Sequence, residues 1–346
     1  MKSSPSKHKR RDMHIDVLRA MAILWMIVMH INPSFPQYAW ANFIWNIGQW
    51  VVPAFILCSI AVDKENVQSF KGYVSYLIKR LKRLLVPYYL WLISYLLLAV
   101  VLGGKVLTFP YVWKNILLVG GSNYNWLIFL FVIVTVAVPV LRFIAHKSEV
   151  WSVLFYFVAA SVSVIFVQNR SYFNANYRWW MIIPWWGITL AVILLLQWWK
   201  KKRYTNIAAL FITSLSVYWY WYLHFLRNGA STHTFPHKYP PDIYFFNFGI
   251  WSVIVAFVLT YFLASRLNPS GYISRFLTFT SKFSYTIFFV HILVLYVVGL
   301  QFNGKNTSYL AYSALIFIPT YAITWIMPRA KVLVASTAQQ IITRLS

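Results

Sequence analysis

Apolar runs about 20 residues long recur along almost the whole chain, and that length matches the ~30 Å hydrocarbon layer of a bilayer. Ten such runs are read, over residues 16–33, 40–62, 84–103, 124–145, 150–168, 178–199, 205–226, 243–265, 281–302 and 308–327. A backbone in lipid has to satisfy its own hydrogen bonds, so only helices or a closed barrel can span, and these runs lack the strand alternation of a barrel. The expected fold is all-α, a polytopic membrane helical bundle of about ten transmembrane helices. Composition agrees: 60% of the 346 residues are hydrophobic and 11% charged, where soluble domains carry roughly a quarter charged.

The charge that remains is lopsided, with Lys+Arg 31 against Asp+Glu 6. In a soluble chain this would suggest nucleic acid, but here the basic residues alternate with the apolar runs. If successive connections alternate sides, 24 of the 31 Lys and Arg fall on the side of the N-terminus. They include Lys79 to Arg83 and the run Lys200 to Arg203. The other side takes seven: Lys105, Lys114, Arg170, Arg178, Arg227, Lys238 and Lys305. The positive-inside rule then puts both termini in the cytoplasm and requires an even number of spans. Trp179-Trp180 and Trp198-Trp199 bracket the sixth run at two interfaces, where indole rings prefer to sit.

Residues 1–12 read as a basic cytoplasmic tail and 13–346 as a single transmembrane domain. The first run holds Asp16 and Arg19 and is followed by Asn32-Pro33, so it is read as a retained helix and not as a signal peptide. A glycosylation triplet at Asn306-Thr307-Ser308 carries no weight, being frequent by chance. One cysteine, Cys58, excludes an intramolecular disulfide and a thiol redox pair. No two histidines stand at a helical metal-pair spacing and carboxylates are few, so no metal site is expected.

Ionisable groups within spans are expensive and therefore functional candidates. In the first helix Arg19 and His30 are eleven positions apart, three turns plus roughly 20°, so they share a face. Asp16 lies within about 60° of Arg19 on the same side. This stripe has two readings of equal standing: an interfacial anchor with a structural imidazole, or a reactive polar lane facing the bundle interior. His224 and His291 are the other imidazoles within spans. A second cluster, Lys79-Arg80-Leu81-Lys82-Arg83, follows an amphipathic lead-in from Phe70 to Leu77. Topology alone accounts for such a run, although Arg also grips phosphates through its planar fork. Gly48 and Pro53 in the second run are expected to kink it beside a cavity. The outer loop His233, His237, Lys238, Tyr239, Pro240, Pro241, Asp242 offers polar groups to an extracellular partner.

The segment Ile15-Asp16-Val17-Leu18-Arg19, continuing through ten residues from Arg19 to His30, resembles the opening of the bacterial integral-membrane acyltransferase 3 family. Val52-Pro53-Ala54-Phe55 to Ser59, Arg80-Leu81-Lys82-Arg83 with Pro87-Tyr88, Trp126 to Pro139, Lys238-Tyr239-Pro240-Pro241 and Phe283-Ser284-Tyr285 to His291 are similar to further family segments, in family order. Three departures bear on substrate: Ile60 stands for the usual Gly, Lys82 for an Arg, and Tyr124-Asn125 precede Trp126 where many members have a His.

The resemblance implies transfer of an acyl group, commonly acetyl, from cytoplasmic acyl-CoA to a hydroxyl of a surface carbohydrate or glycolipid, in a bacterial plasma membrane. It makes His30 the general base or acyl carrier, with Arg19 lining the donor path and Asp16 orienting it. Arg80, Lys82 and Arg83 would hold the nucleotide phosphates, and Trp126, His291 and Tyr239 would contact substrate. The competing reading is a polysaccharide or lipid exporter without acyl-transfer chemistry, for which paired discontinuous helices would be expected. A scaffold without chemistry leaves the Arg19 and His30 stripe unexplained.

Overall fold

The computed structural model describes residues 12–63, 69–122, 124–174, 176–302 and 307–345. Most of the expected basic tail (1–11), Lys64 and Asn306 of the glycosylation triplet lie outside the described residues. Among the described residues the chain is helical, without a strand: α1 (Met13–Ile31), α2 (Ala39–Ile47), α3 (Val51–Val62), α4 (Phe70–Val101), α5 (Phe109–Ile116), α6 (Trp126–Lys147), α7 (Glu149–Gln168), α8 (Arg170–Asn174), α9 (Tyr177–Trp180), α10 (Ile182–Lys200), α11 (Tyr204–Arg227), α12 (Ile243–Arg266), α13 (Tyr272–Lys282), α14 (Ser284–Gln301) and α15 (Tyr309–Leu345).

Nine spans among the described residues are long and apolar enough to cross a membrane, α2 with α3 and α9 with α10 each counting as one. The tenth expected segment is α11, 24 residues long but less apolar, because Thr, Ser, Tyr and His interrupt it. Its path is fixed by its neighbours. The start of α9 and the loop before α12 share one cavity, through Tyr177 and Lys238. α10 then runs to the opposite face, so α11 must traverse the bundle to bring the chain back. It packs along α12, with Ile207, Ser214 and Phe225 buried and most of its other residues turned outward. α15 starts beside the end of α1, where Tyr309 donates to Asn32 Oδ1 at 2.9 Å, and passes Thr280 of α13 at Tyr321, 3.1 Å away. The first and last spanning helices therefore have their outer termini on one face, hereafter the basic face.

The second apolar run is broken where the sequence places glycine. A 3-10 turn over Gly48–Trp50 separates α2 from α3. A Cβ on Gly48 would lie 2.3 Å from Trp25 Nε1 and 2.6 Å from Met29 Sδ, so α1 can approach this closely only at a glycine. Pro53 sits in the first turn of α3, where its missing N–H costs nothing.

The third element is longer than its apolar run. The lead-in, the basic cluster and the span form one continuous helix, α4, with Pro87 inside it. At 32 residues it measures about 48 Å and extends beyond a hydrocarbon layer. An amphipathic helix absent from the sequence reading, α13, packs Leu277 against Val17 and Ala20 of α1.

Candidate active site

Two polar constellations sit at opposite ends of α1, about 16 Å apart along its axis between Arg19 and His30. At the basic face, three guanidiniums from three helices gather on the last turn of α3. Arg19 Nη2 donates to Cys58 O at 3.0 Å, Arg80 Nη2 to Ser59 O at 3.4 Å, and Arg142 Nη2 to Ile60 O at 2.9 Å and Asp63 O at 2.8 Å. These carbonyls are the negative end of the α3 dipole, which favours cations there. The Asp63 carboxylate adds ion pairs with Arg80 (3.0 Å) and Arg142 (3.3 Å). Asp16 is buried and accepts from Ser281 Oγ of α13 at 2.7 Å. The expected single stripe is thus divided: these bonds carry Arg19 toward α3, Asp16 toward α13, and His30 toward α14.

Arg80 and Arg83 line a space of about 50 Å³ with Ser59, Asp63 and Tyr76. That takes a few waters and not a nucleotide. Arg80, read from sequence as a phosphate ligand, pairs with Asp63, whereas Lys82 and Arg83 lie exposed on the same helix.

At the other end a cavity of about 570 Å³ is lined by His30, Gln49, Tyr124, Trp126, Tyr177, Lys238 and Tyr239, with apolar side chains between them. The ends of α1, α2, α3, α6 and α9, the middle of α14 and the loop before α12 converge here. His30 Nδ1 lies 2.8 Å from His291 Nε2, with the two rings 15° from coplanar. The centroids are 5.1 Å apart, so the rings meet edge to edge through an N–H···N bond.

Proton placement follows from the far side of the pair. His291 Nδ1 is 3.0 Å from Ile287 O, a carbonyl that can only accept. In a neutral His291, Nδ1 therefore donates and Nε2 accepts, so His30 Nδ1 is the donor and His30 Nε2 keeps its lone pair. Among the described residues no protein group bonds His30 Nε2. Tyr124 stands edge-on to the His30 ring at 5.8 Å.

His291, expected to contact substrate, is fully buried behind His30 and does not line the cavity. Trp126 and Tyr239 do line it, packed edge to face at 4.9 Å, with Tyr177 against Tyr239 at 5.3 Å. His224 lies on an exposed part of α11 against Asn228, away from this cavity.

Gln49 is a site residue the sequence reading missed, and Lys238 is one it places only among the polar groups of the outer loop and in the Lys238-Tyr239-Pro240-Pro241 segment. Lys238 Nζ donates to Gln49 Oε1 at 3.0 Å. Gln49 Nε2 donates in turn to Trp45 O at 2.8 Å, which orients the amide so that its oxygen faces the ammonium. Trp126, Tyr239 and Phe245 present their rings to Nζ at 4.5, 5.5 and 5.9 Å. Burial pushes the Lys238 ammonium down to about 7. The loop that carries it is held by Asp242, which caps α12 through Phe245 N at 3.1 Å and bonds His237 Nδ1 at 2.5 Å and Arg170 at 3.5 Å. A signal for Lys238 does exist in the chain: it is one of seven basic residues off the basic face, set among Tyr239, Pro240 and Pro241.

No curated protein and no solved structure matches this chain. The family model described as an acyltransferase domain, Acyl_transf_3, matches residues 14–328, which include Arg19 and His30 of α1, the Lys238 loop and His291. With nearly its whole length matched, this integral membrane chain belongs to the acyltransferase 3 family.

Proposed function

We propose that this acyltransferase moves an acetyl or other short acyl group from cytoplasmic acyl-CoA to a hydroxyl of an extracytoplasmic carbohydrate or glycolipid, in a bacterial inner membrane, with His30 as general base. The observation that supports this most is the unshared lone pair of His30 Nε2 in a cavity on the face opposite the basic one. In this reading the donor docks at the basic face, where Lys82 and Arg83 meet the nucleotide phosphates and Arg80 holds the rim through Asp63. The thiol arm then runs along α1 past Arg19 toward His30.

The chemistry balances without a further reactant. Nε2 of His30 takes the hydroxyl proton as the oxygen attacks the thioester carbon. The tetrahedral intermediate collapses with cleavage of the C–S bond, and the thiolate recovers the proton from the imidazolium as CoA leaves. Trp126 and Tyr239 present ring faces and edges suited to the apolar side of a sugar.

Purified protein in liposomes with [14C]acetyl-CoA tests this reading. His30→Ala and His30→Gln are expected to bind CoA normally and to lose turnover by a factor of about 100 to 10,000, the usual contribution of a general base. Turnover by the Gln variant within about threefold of wild type would exclude His30 as the base. Wild-type protein that moves a labelled glycolipid across the liposome without consuming thioester would favour an exporter instead.

A further inference from the structure

Lys238 is the one formally charged residue among those lining the His30 cavity. It is 3% exposed, and no carboxylate pairs with it among the described residues. An ammonium has three protons to give, and Gln49 Oε1 takes one. The flanking rings hold the cation by their faces but bring no formal negative charge. A buried cation without a counter-charge is costly, and such sites are normally completed by an anion. Here the tether is built in advance: the 3-10 turn at Gly48 sets Gln49 into the cavity, and Trp45 fixes the amide oxygen toward Nζ.

Resting on the acyl-transfer reading of the same cavity, we propose that Lys238 is a catalytic residue whose ammonium stabilises the oxyanion formed when oxygen adds to the thioester carbonyl. As the new C–O bond forms, the carbonyl π pair moves onto oxygen and places a full negative charge in the cavity. The ammonium meets that charge by donating a hydrogen bond to the oxygen. The charge returns to the carbonyl when the C–S bond breaks. A transient anion fits this site better than a permanent one, because a single tethered ammonium offers one point of contact, whereas carboxylates and phosphates are commonly gripped by a bidentate fork. Gln49 is the positioning residue that holds Nζ in place.

Water can replace the acceptor in the test, since hydrolysis of acetyl-CoA passes through the same oxyanion. Lys238→Met in liposomes is expected to hydrolyse [14C]acetyl-CoA about 100-fold or more slowly than wild type, as removal of an oxyanion donor does, with [3H]CoA affinity unchanged. Aminoethylation of Lys238→Cys, which rebuilds the ammonium with sulfur in place of a methylene, is expected to restore hydrolysis. Should Lys238→Met lose its cooperative thermal transition, Gln49→Leu decides. That variant keeps the charge, frees its tether, and is expected to lose about tenfold in hydrolysis. Hydrolysis by a folded Lys238→Met protein within about threefold of wild type overturns the proposal. So does an effect confined to a carbohydrate acceptor, which would make Lys238 a reader of an anionic group on that acceptor. Wild-type protein with neither hydrolysis nor transfer would instead refute the acyl-transfer reading, and this inference with it.

Discussion

The two imidazoles in contact are 261 positions apart in sequence, and their bond sets the protonation pattern of both. If His291 is removed, His30 Nδ1–H is left buried without an acceptor, which costs about 1–3 kcal/mol. The other tautomer, with the proton on Nε2 and no lone pair toward the cavity, then becomes accessible. His291→Ala is expected to lower both the melting temperature and turnover. His291→Gln, whose side-chain oxygen can accept from His30, is expected to recover a large part of the turnover. Calorimetry together with thioester hydrolysis checks this, and a Gln variant as inactive as Ala would show that His291 does more than hold the tautomer. The residue scale is also where sequence reading reached its limit. His30, Trp126 and Tyr239 are legible as site candidates and line the cavity, whereas Lys238 reads as one polar group of the outer loop and its Lys238-Tyr239-Pro240-Pro241 segment, and Gln49 as part of a span. Nothing local pairs them, because the contact between them spans 189 positions.

At the scale of elements, the apolar runs made the spanning helices legible, since length against bilayer thickness is a strong constraint. Elements set by charge or amphipathicity were harder. α4 reaches back through Lys79 to Arg83 to Phe70 because helical hydrogen bonding does not stop where apolarity does. α13 is short and half polar, and its place is dictated by α1. The kink expected from Gly48 is present as a 3-10 turn, at the point where α1 approaches so closely that only a glycine fits. Gly48→Ala would drive a methyl into Trp25 and Met29, an overpacking that typically costs 1–3 kcal/mol. The same variant is expected to shift Gln49 and slow hydrolysis, because the turn positions the Lys238 tether. A thermal melt and a hydrolysis assay on one sample measure both. An unchanged melting temperature would mean that α1 and α2 separate more readily than their packing indicates.

For the whole molecule, one buried ammonium tilts stability with pH. Lys238 is held near 7 when folded, against an ordinary 10.5. Below about 7 both states carry the proton and the burial cost is fully present. Between about 7 and 10.5 the unfolded chain binds more protons than the folded one, so stability rises with pH across that window. No Asp or Glu lines the cavity to oppose this; the other ionisable groups there are His30, Tyr124, Tyr177 and Tyr239. Burial holds the Tyr239 phenol well above the ordinary tyrosine range. Melting curves from pH 6 to 9.5 should therefore rise more steeply for wild type than for Lys238→Met. Parallel curves would mean that the ammonium is solvated in the folded protein.

The helices are also unequal in their exposure to lipid. The spans of α1 and of α9 with α10 are the most enclosed, whereas α4, α7 and α15 turn most of their surface outward. Thinning the bilayer, or exchanging it for detergent, would be absorbed first by that outer ring. The His30 end of α1 sits behind it, framed by protein side chains. The geometry of the cavity should therefore survive solubilisation, and a preparation in detergent can be trusted to report on the chamber that the membrane-bound molecule uses.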